Sequence, residues 1–371
     1  MTPRTRTPTA ARHGLVRTEV PDPLQLLGPA GHLAEGYEPD LEADSLLAAF
    51  RLMLLSRATS ERAVSLQRQG RLGTIATPDG QEAAIVGPAL GLDPERDWIV
   101  PTYRELPGML AMGLPLWRFL LYYRGHPLGG LVPEGVNVLP VQISLATQVP
   151  HAVGLAWGLR KQGSDAVVVV YFGEGAASEG DVHEAMNLAG VRRAPVIFVL
   201  QDNGWAISTP VSKQSATESF ALRAAGYGFP GELVDGNDLL AMHEAGRHAV
   251  ERARAGEGPT LIEARTYRLA PHNTSDDNTR YVDPAELEQA QARDPVVRLR
   301  AYLESRDLID DEREAAMRDE IKAELGEAVE RMEREAERMP TELLYDNVYA
   351  DPPPRLIRQR SAALGEPGGN G

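Results

Sequence analysis

Two β-branched runs set one short helix apart constrain this chain more than any other feature. Residues 166–172 read AVVVVYF and break off into Gly173-Glu174-Gly175. Residues 196–200 read VIFVL and break off into Gln201-Asp202-Asn203-Gly204-Trp205. Residues 179–189, between the two runs, have helical character. A single short helix joining two buried strands makes those strands parallel. Neighbouring parallel strands lie about 4.8 Å apart, so both glycine-bearing loops meet at the carboxyl edge of one sheet. Ligands of open α/β sheets bind at that edge.

The rest of the sequence extends this reading. Leu46, Leu47, Phe50, Met53 and Leu54 recur at helical spacing within 44–69, behind a capping position at Asp44. A polar loop at 70–80 leads to a short helix at 81–90. A strand at 97–100 ends in Thr102-Tyr103-Arg104-Glu105, and 125–141 is a glycine- and proline-rich functional loop. A helix of small residues follows at 146–160. Strands at 231–234 and 261–267 flank a helix at 238–255, and the chain beyond 283 is mostly helical and charged. The expected fold class is α/β, a mostly parallel central sheet flanked by helices with helical N- and C-terminal extensions. Residues 1–40 are expected as a mostly irregular tail, 41–352 as one domain, and 353–371 as a C-terminal tail with a frayed GEPGGNG end.

Composition narrows the chemistry. A formal net charge of −15 argues against nucleic-acid or anionic-membrane partners. Residues 311–338 carry 11 acids against 6 bases, the pattern of a solvated helical face. The absence of cysteine excludes disulfides, thiolate metal sites and cysteine nucleophiles. No apolar run approaches the roughly 18–20 residues that cross a bilayer. Arg4, Arg6, Arg12 and Arg17 give the N-terminus a faint transit-peptide look. Pro3 and Pro8 spoil the amphipathic helix such a peptide needs, so a disordered tail on a cytoplasmic enzyme is the expectation.

A glycine pair around one carboxylate, taken alone, is a turn. Beside a second polar loop at hydrogen-bonding range it becomes a hard, all-oxygen site of carboxylate, carboxamide and carbonyls. Such a set suits Mg²⁺, which fills its octahedron with phosphate oxygens and water. The glycines admit an anion to the backbone, and the following helix start near Ser178 and Glu179 offers N–H groups and a positive dipole end. A magnesium-bridged diphosphate fits these features. A P-loop does not, since no G-K-[S/T] is present.

The pairing resembles the thiamine diphosphate motif, G-D-G followed after some 26 residues by N-N. The segments GEGAASEGDVHEAMNLA, NGWAISTP, VDGND, LIEARTYRL and SDDNTRY are similar to the alpha subunit of branched-chain 2-oxo acid dehydrogenase, from about residue 41 to 352. The resemblance implies a thiamine diphosphate-binding fold in which Glu174, Asn203 and the carbonyl of Trp205 hold Mg²⁺. It implies diphosphate contacts from Tyr103, Arg104 and Arg268, with Gly173, Gly175 and Ala176 in the cofactor-binding set; guanidinium groups suit forked phosphate contacts. Leu145 would wedge the bent cofactor, the Ile143 backbone would hold its aminopyrimidine, and Thr147 and Gln148 match a K⁺ site of the mammalian relatives. His272, in APHNTSDDNTR, is the implied catalytic residue, while Asp276 and Asp277 are expected to brace its loop. The resemblance also implies a beta subunit that supplies the glutamate activating the cofactor, a tetramer of two alpha and two beta subunits, and a lipoyl-bearing acyltransferase core.

Three positions depart from that pattern. Asp202 replaces the first asparagine of N-N, Gln201 stands where the mammalian enzyme has an arginine near the diphosphate, and Asn273 replaces a serine that a kinase phosphorylates. The implied reaction is oxidative decarboxylation of branched-chain 2-oxo acids such as 3-methyl-2-oxobutanoate, with Phe172, Ile143 and Tyr123 as candidate pocket residues. Pyruvate as substrate, and a non-catalytic subunit that binds magnesium diphosphate, are the alternatives.

Overall fold

The computed structural model of the protein describes residues 20–366. The arginine-bearing start, 1–19, and the last five residues lie outside that range. Strands β1 (Trp98–Val100), β2 (Val168–Gly173) and β3 (Val196–Asp202) are followed by a small antiparallel hairpin, β4 (Trp205–Ala206) and β5 (Thr209–Pro210). With β6 (Gly231–Asp235) and β7 (Thr260–Arg265) they build one sheet of order β1-β2-β3-β7-β6, parallel throughout. The helices are α1 (Ala43–Arg68), α2 (Glu82–Leu90), α3 (Leu106–Ala111), α4 (Leu116–Tyr123), α5 (Gln148–Lys161), α6 (Gly180–Arg192), α7 (Leu239–Arg254), α8 (Pro284–Gln291), α9 (Pro295–Ser305), α10 (Asp311–Ala336) and α11 (Pro354–Leu364). Among the described residues no helix is long and apolar enough to cross a membrane.

The near-continuous apolar runs are explained by cover on both faces. Val167, Val169, Tyr171, Ile197, Val199 and Ile262 point into one core with α1, α2, α7, α9 and α10. Val168, Val170, Phe172, Phe198, Leu200 and Leu261 point into the other, with α5 and α6. The twofold alternation of strand side chains divides each run between these two cores.

Four details differ from the sequence reading. Helix α1 starts at Ala43 behind Glu42, which makes no side-chain cap; Asp44 sits in the first turn, where its charge still meets the helix dipole. Helices α3 and α4 occupy a stretch with no expected element. The irregular segment from residue 20 is docked: Leu24 bridges Val234 at the sheet edge, and Leu27 is fully buried. Part of the expected C-terminal tail is the helix α11.

Candidate active site

The register of β2 on β3 pairs Gly173 with Gln201, so the two polar loops begin side by side. They open into a cavity of about 460 Å³ at the carboxyl edge of the sheet. Gly173, Glu174, Gly175 and Ala176 form one wall, and Asn203 and Trp205 another. Tyr103 and Arg104, carried past the end of β1, close the third side. Ile143 and Leu145 stand at its mouth, 56% and 44% exposed, and His272 completes the lining.

Glycine at 175 has a reason beyond anion access: a Cβ there would meet the Ala206 Cβ at 2.9 Å, so the hairpin β4–β5 requires it. The N–H groups of Ser178 and Glu179 are not free for an anion. A 3-10 turn consumes them, donating to the carbonyls of Gly175 at 3.2 Å and Ala176 at 2.9 Å.

Glu174 is 1% exposed. Its Oε2 accepts the Asn203 N–H at 3.4 Å, and its Oε1 is buried with no partner. Burial, and then the charge of Asp202, push its carboxyl up to about 7. A buried carboxylate oxygen without a donor is costly unless a cation joins it. Asn203 Oδ1 accepts the Trp205 N–H at 3.2 Å and keeps a second lone pair, and the Trp205 carbonyl lies in the same loop. This oxygen set fits a hard dication. Among the described residues no three His, Cys, Asp or Glu side chains converge, so a cation here would draw most of its shell from a diphosphate and water.

Arg104, nearly buried, donates through Nη1 to the Thr77 carbonyl at 2.5 Å and through Nη2 to the His272 carbonyl at 3.2 Å. Arg268 does not line the cavity. It stands behind it, donating to the carbonyls of Trp205 at 3.2 Å and Ile207 at 2.8 Å and to the Tyr281 hydroxyl at 2.8 Å. That clamp holds Ile207, a β-branched residue, at φ +55°, a conformation that needs outside support.

The His272 loop is stapled at several points. Asp276 Oδ2 accepts the His272 N–H at 2.8 Å and the Tyr281 O–H at 2.5 Å, while Asp277 Oδ1 caps Thr279. Thr274 donates its N–H to the Ile75 carbonyl at 2.9 Å, and Asn273 Oδ1 accepts the Ser275 N–H at 2.9 Å. Burial, then Arg104 and Arg268, lower the imidazole to about 4, with Asp276 opposing.

Other expected residues lie elsewhere. Gln148 donates to the Tyr171 carbonyl at 2.9 Å and Thr147 to the Ser144 carbonyl at 2.9 Å, both off the cavity wall; the Gln148 Oε1 is buried without a partner. Phe172 packs against Phe198 in the core, and the Tyr123 hydroxyl donates to the Tyr103 carbonyl at 2.9 Å from behind the wall. Of the three candidate pocket residues only Ile143 faces the cavity. Gln81 and Glu105 line it unforeseen. Glu105 is a fully buried carboxylate that accepts from the Thr102 N–H and O–H at 2.6 and 2.7 Å and from Gln201 Nε2 at 2.6 Å. Gln201 is thus turned to a neighbouring side chain. The signal available for Gln81 was its place just after the Asp79-Gly80 turn and just before a helix.

Comparison with known proteins agrees with this arrangement. Residues 50–341 match the family described as Dehydrogenase E1 component. The pyruvate dehydrogenase E1 component subunit alpha of Staphylococcus aureus (strain COL) is 41% identical over 338 residues, 91% of this chain and 91% of that one. The subunit of the same name from Staphylococcus epidermidis is 41% identical over the same shares. At that identity and coverage the chain belongs to the dehydrogenase E1 component family, as a thiamine diphosphate-dependent alpha subunit of a 2-oxo acid dehydrogenase.

Proposed function

We propose that this chain binds thiamine diphosphate through Mg²⁺ and carries out oxidative decarboxylation of 2-oxo acids, passing the acyl group to the lipoyl group of an acyltransferase core. The observation that carries the reading is the bare, buried Oε1 of Glu174, a residue that lines the cavity together with Asn203 and Trp205. Glu174, the Asn203 Oδ1 and the Trp205 carbonyl would hold the cation, and Tyr103, Arg104 and the 173–176 turn the diphosphate. Thiamine diphosphate, when bound, supplies the electron sink that lets CO₂ leave. His272 holds a proton on Nε2 at the cavity and donates toward developing negative charge. Leu145 and Ile143 exclude water from one side of the mouth. Their exposure in the lone chain suits cover by a beta subunit in a tetramer of two alpha and two beta chains. A K⁺ near Gln148 Oε1 and a cytoplasmic setting belong to the same proposal.

For the substrate, branched-chain 2-oxo acids stand first. The apolar rim of Ile143, Leu145 and Ile207 suits an apolar acyl chain. Pyruvate is the second reading, favoured by the names of the relatives. Co-expression with the beta subunit, addition of thiamine diphosphate and Mg²⁺, and turnover of 3-methyl-2-oxobutanoate against pyruvate with an artificial electron acceptor test both. Faster turnover of the branched acid supports the first reading, and faster pyruvate turnover replaces it with the second. Cofactor binding without turnover of either makes the chain a non-catalytic subunit.

A further inference from the structure

We infer that Gln81 is a positioning residue for the cation site, fixing the carboxamide of Asn203 so that its oxygen and not its nitrogen faces the metal. The inference rests on the proposed role of Asn203 as a ligand. Gln81 is fully buried and lines the cavity, 122 positions from Asn203 in the chain. Asn203 Nδ2 donates to Gln81 Oε1 at 3.1 Å, while Asn203 Oδ1 accepts the Trp205 N–H at 3.2 Å. These two contacts read the two ends of one amide in the same sense. A carboxamide rotated by half a turn would set Nδ2 against the Trp205 N–H and Oδ1 against the Gln81 Oε1, donor on donor and acceptor on acceptor. It would also turn a donor toward the cation, which no amide nitrogen can ligate.

Gln81 can do this only if its side chain is held in place; its Nε2 is buried without a partner, and the fold fixes the backbone beneath it from several directions. Its N–H donates to the Pro78 carbonyl at 2.7 Å. Next to it, Gly80 has φ +90°, and a Cβ there would lie 2.2 Å from the Tyr267 carbonyl oxygen. The Gly80 N–H donates to Glu82 Oε2 at 2.9 Å, and the Gly80 carbonyl accepts the Thr266 hydroxyl at 2.7 Å. Glu82 pairs with Arg57, which reaches Asp294 at 2.9 Å. Gln81 therefore connects the ligand loop to the buried ion cluster under α1, α2 and α9. Partners that orient a ligand without touching the metal typically change metal affinity by 10–100-fold when removed.

The test is a double-mutant cycle on the alpha–beta tetramer, with Mn²⁺ as the probe, thiamine diphosphate present, and free Mn²⁺ read by electron paramagnetic resonance. Gln81→Met fills the space without an acceptor, and we expect it to weaken Mn²⁺ binding about 10–100-fold. Asn203→Asp makes both ends of residue 203 oxygen, so its orientation no longer matters. In that background Gln81→Met should change affinity by less than about threefold, a coupling that a general packing defect does not produce. Equal losses in both backgrounds, or wild-type affinity in Gln81→Met alone, overturn the inference while leaving the cation site standing. If wild-type protein shows no saturable Mn²⁺ binding that depends on the diphosphate, the site reading itself falls and the inference with it.

Discussion

The Nη2 of Arg104 lies 3.2 Å from Nδ1 of His272, and Nη1 of Arg268 approaches the same nitrogen at 3.4 Å. Guanidinium groups only donate, so Nδ1 accepts and the ring proton resides on Nε2. Burial, and then the two cations, hold the imidazole at about 4. We therefore expect His272 to remain the neutral Nε2–H tautomer from neutral pH down to about 5. Nitrogen-15 NMR of histidine-labelled protein reads this directly, and a ring that protonates near 6.5 would contradict it. The sign for stability follows. Between about 4 and 6.5 the unfolded chain carries the proton and the folded chain does not, so this residue makes stability rise with pH across that window. His272→Gln should flatten that part of the stability profile.

Glu174 is expected to trade stability for binding. Its carboxyl, raised from 4.5 to about 7, is progressively penalised as pH rises through that interval, and the full cost is present at pH 8. Glu174→Gln removes the charge and should stabilise the cofactor-free protein at pH 8 by about 1–2 kcal/mol. The same change should abolish the rise in Tm that thiamine diphosphate with Mg²⁺ gives the wild type. Thermal melts with and without the pair separate the two effects. A destabilised apo protein, or a retained rise, would contradict the assignment of Glu174.

The central sheet was legible because its strands advertise themselves: Val167 to Phe172 and Val196 to Leu200 have no competing helical pattern, and the loops that follow them both line the cavity. That Glu174, Asn203 and His272 share one cavity was legible for the same reason, each lying in a loop that follows a strand. Gln81 was not, because its meaning comes from a contact 122 positions away, and its place between the Asp79-Gly80 turn and a helix does not say what it touches. Arg268, a diphosphate contact only by resemblance, stands off the cavity lining, its guanidinium donating to the carbonyls of Trp205 and Ile207. The docked segment around Leu27 read as tail because its order comes from Asp238 and Arg298, far along the chain.

Glycines on neighbouring helices should respond in opposite directions to alanine. In α6, a Cβ on Gly190 would lie 2.2 Å from the Tyr227 carbonyl oxygen, so Gly190→Ala must push apart backbone segments. We expect a loss of about 2–3 kcal/mol, in spite of the better helix propensity of alanine. In α5, Gly154 is exposed with nothing within 4 Å of a Cβ, and Gly154→Ala should stabilise the alpha chain alone by about 0.5–1 kcal/mol. Urea unfolding of the two variants decides, and a loss at both positions would contradict the distinction.

Asp238 joins three parts of the molecule through one carboxylate. Oδ1 caps α7 by accepting the N–H groups of Leu240 at 2.9 Å and Ala241 at 3.0 Å. Oδ2 accepts the N–H groups of Leu26 at 2.7 Å and Leu27 at 2.6 Å, and lies 3.5 Å from the guanidinium of Arg298. Arg298 is almost fully buried, and its second carboxylate partner is Asp235 at 3.0 Å. Asp238→Ala removes the helix cap, strands two amides and halves the charge compensation of a buried cation. A loss of about 2–4 kcal/mol follows from the cap and the under-compensated buried charge of Arg298 together. The loss should be local before it is global, because Asp238 accepts two of the hydrogen bonds that tie residues 20–34 to the rest of the fold. Limited proteolysis should therefore cut the variant within this segment at protease levels that leave the wild type intact. Cleavage at equal rates in both proteins would show that Asp238 is only a cap.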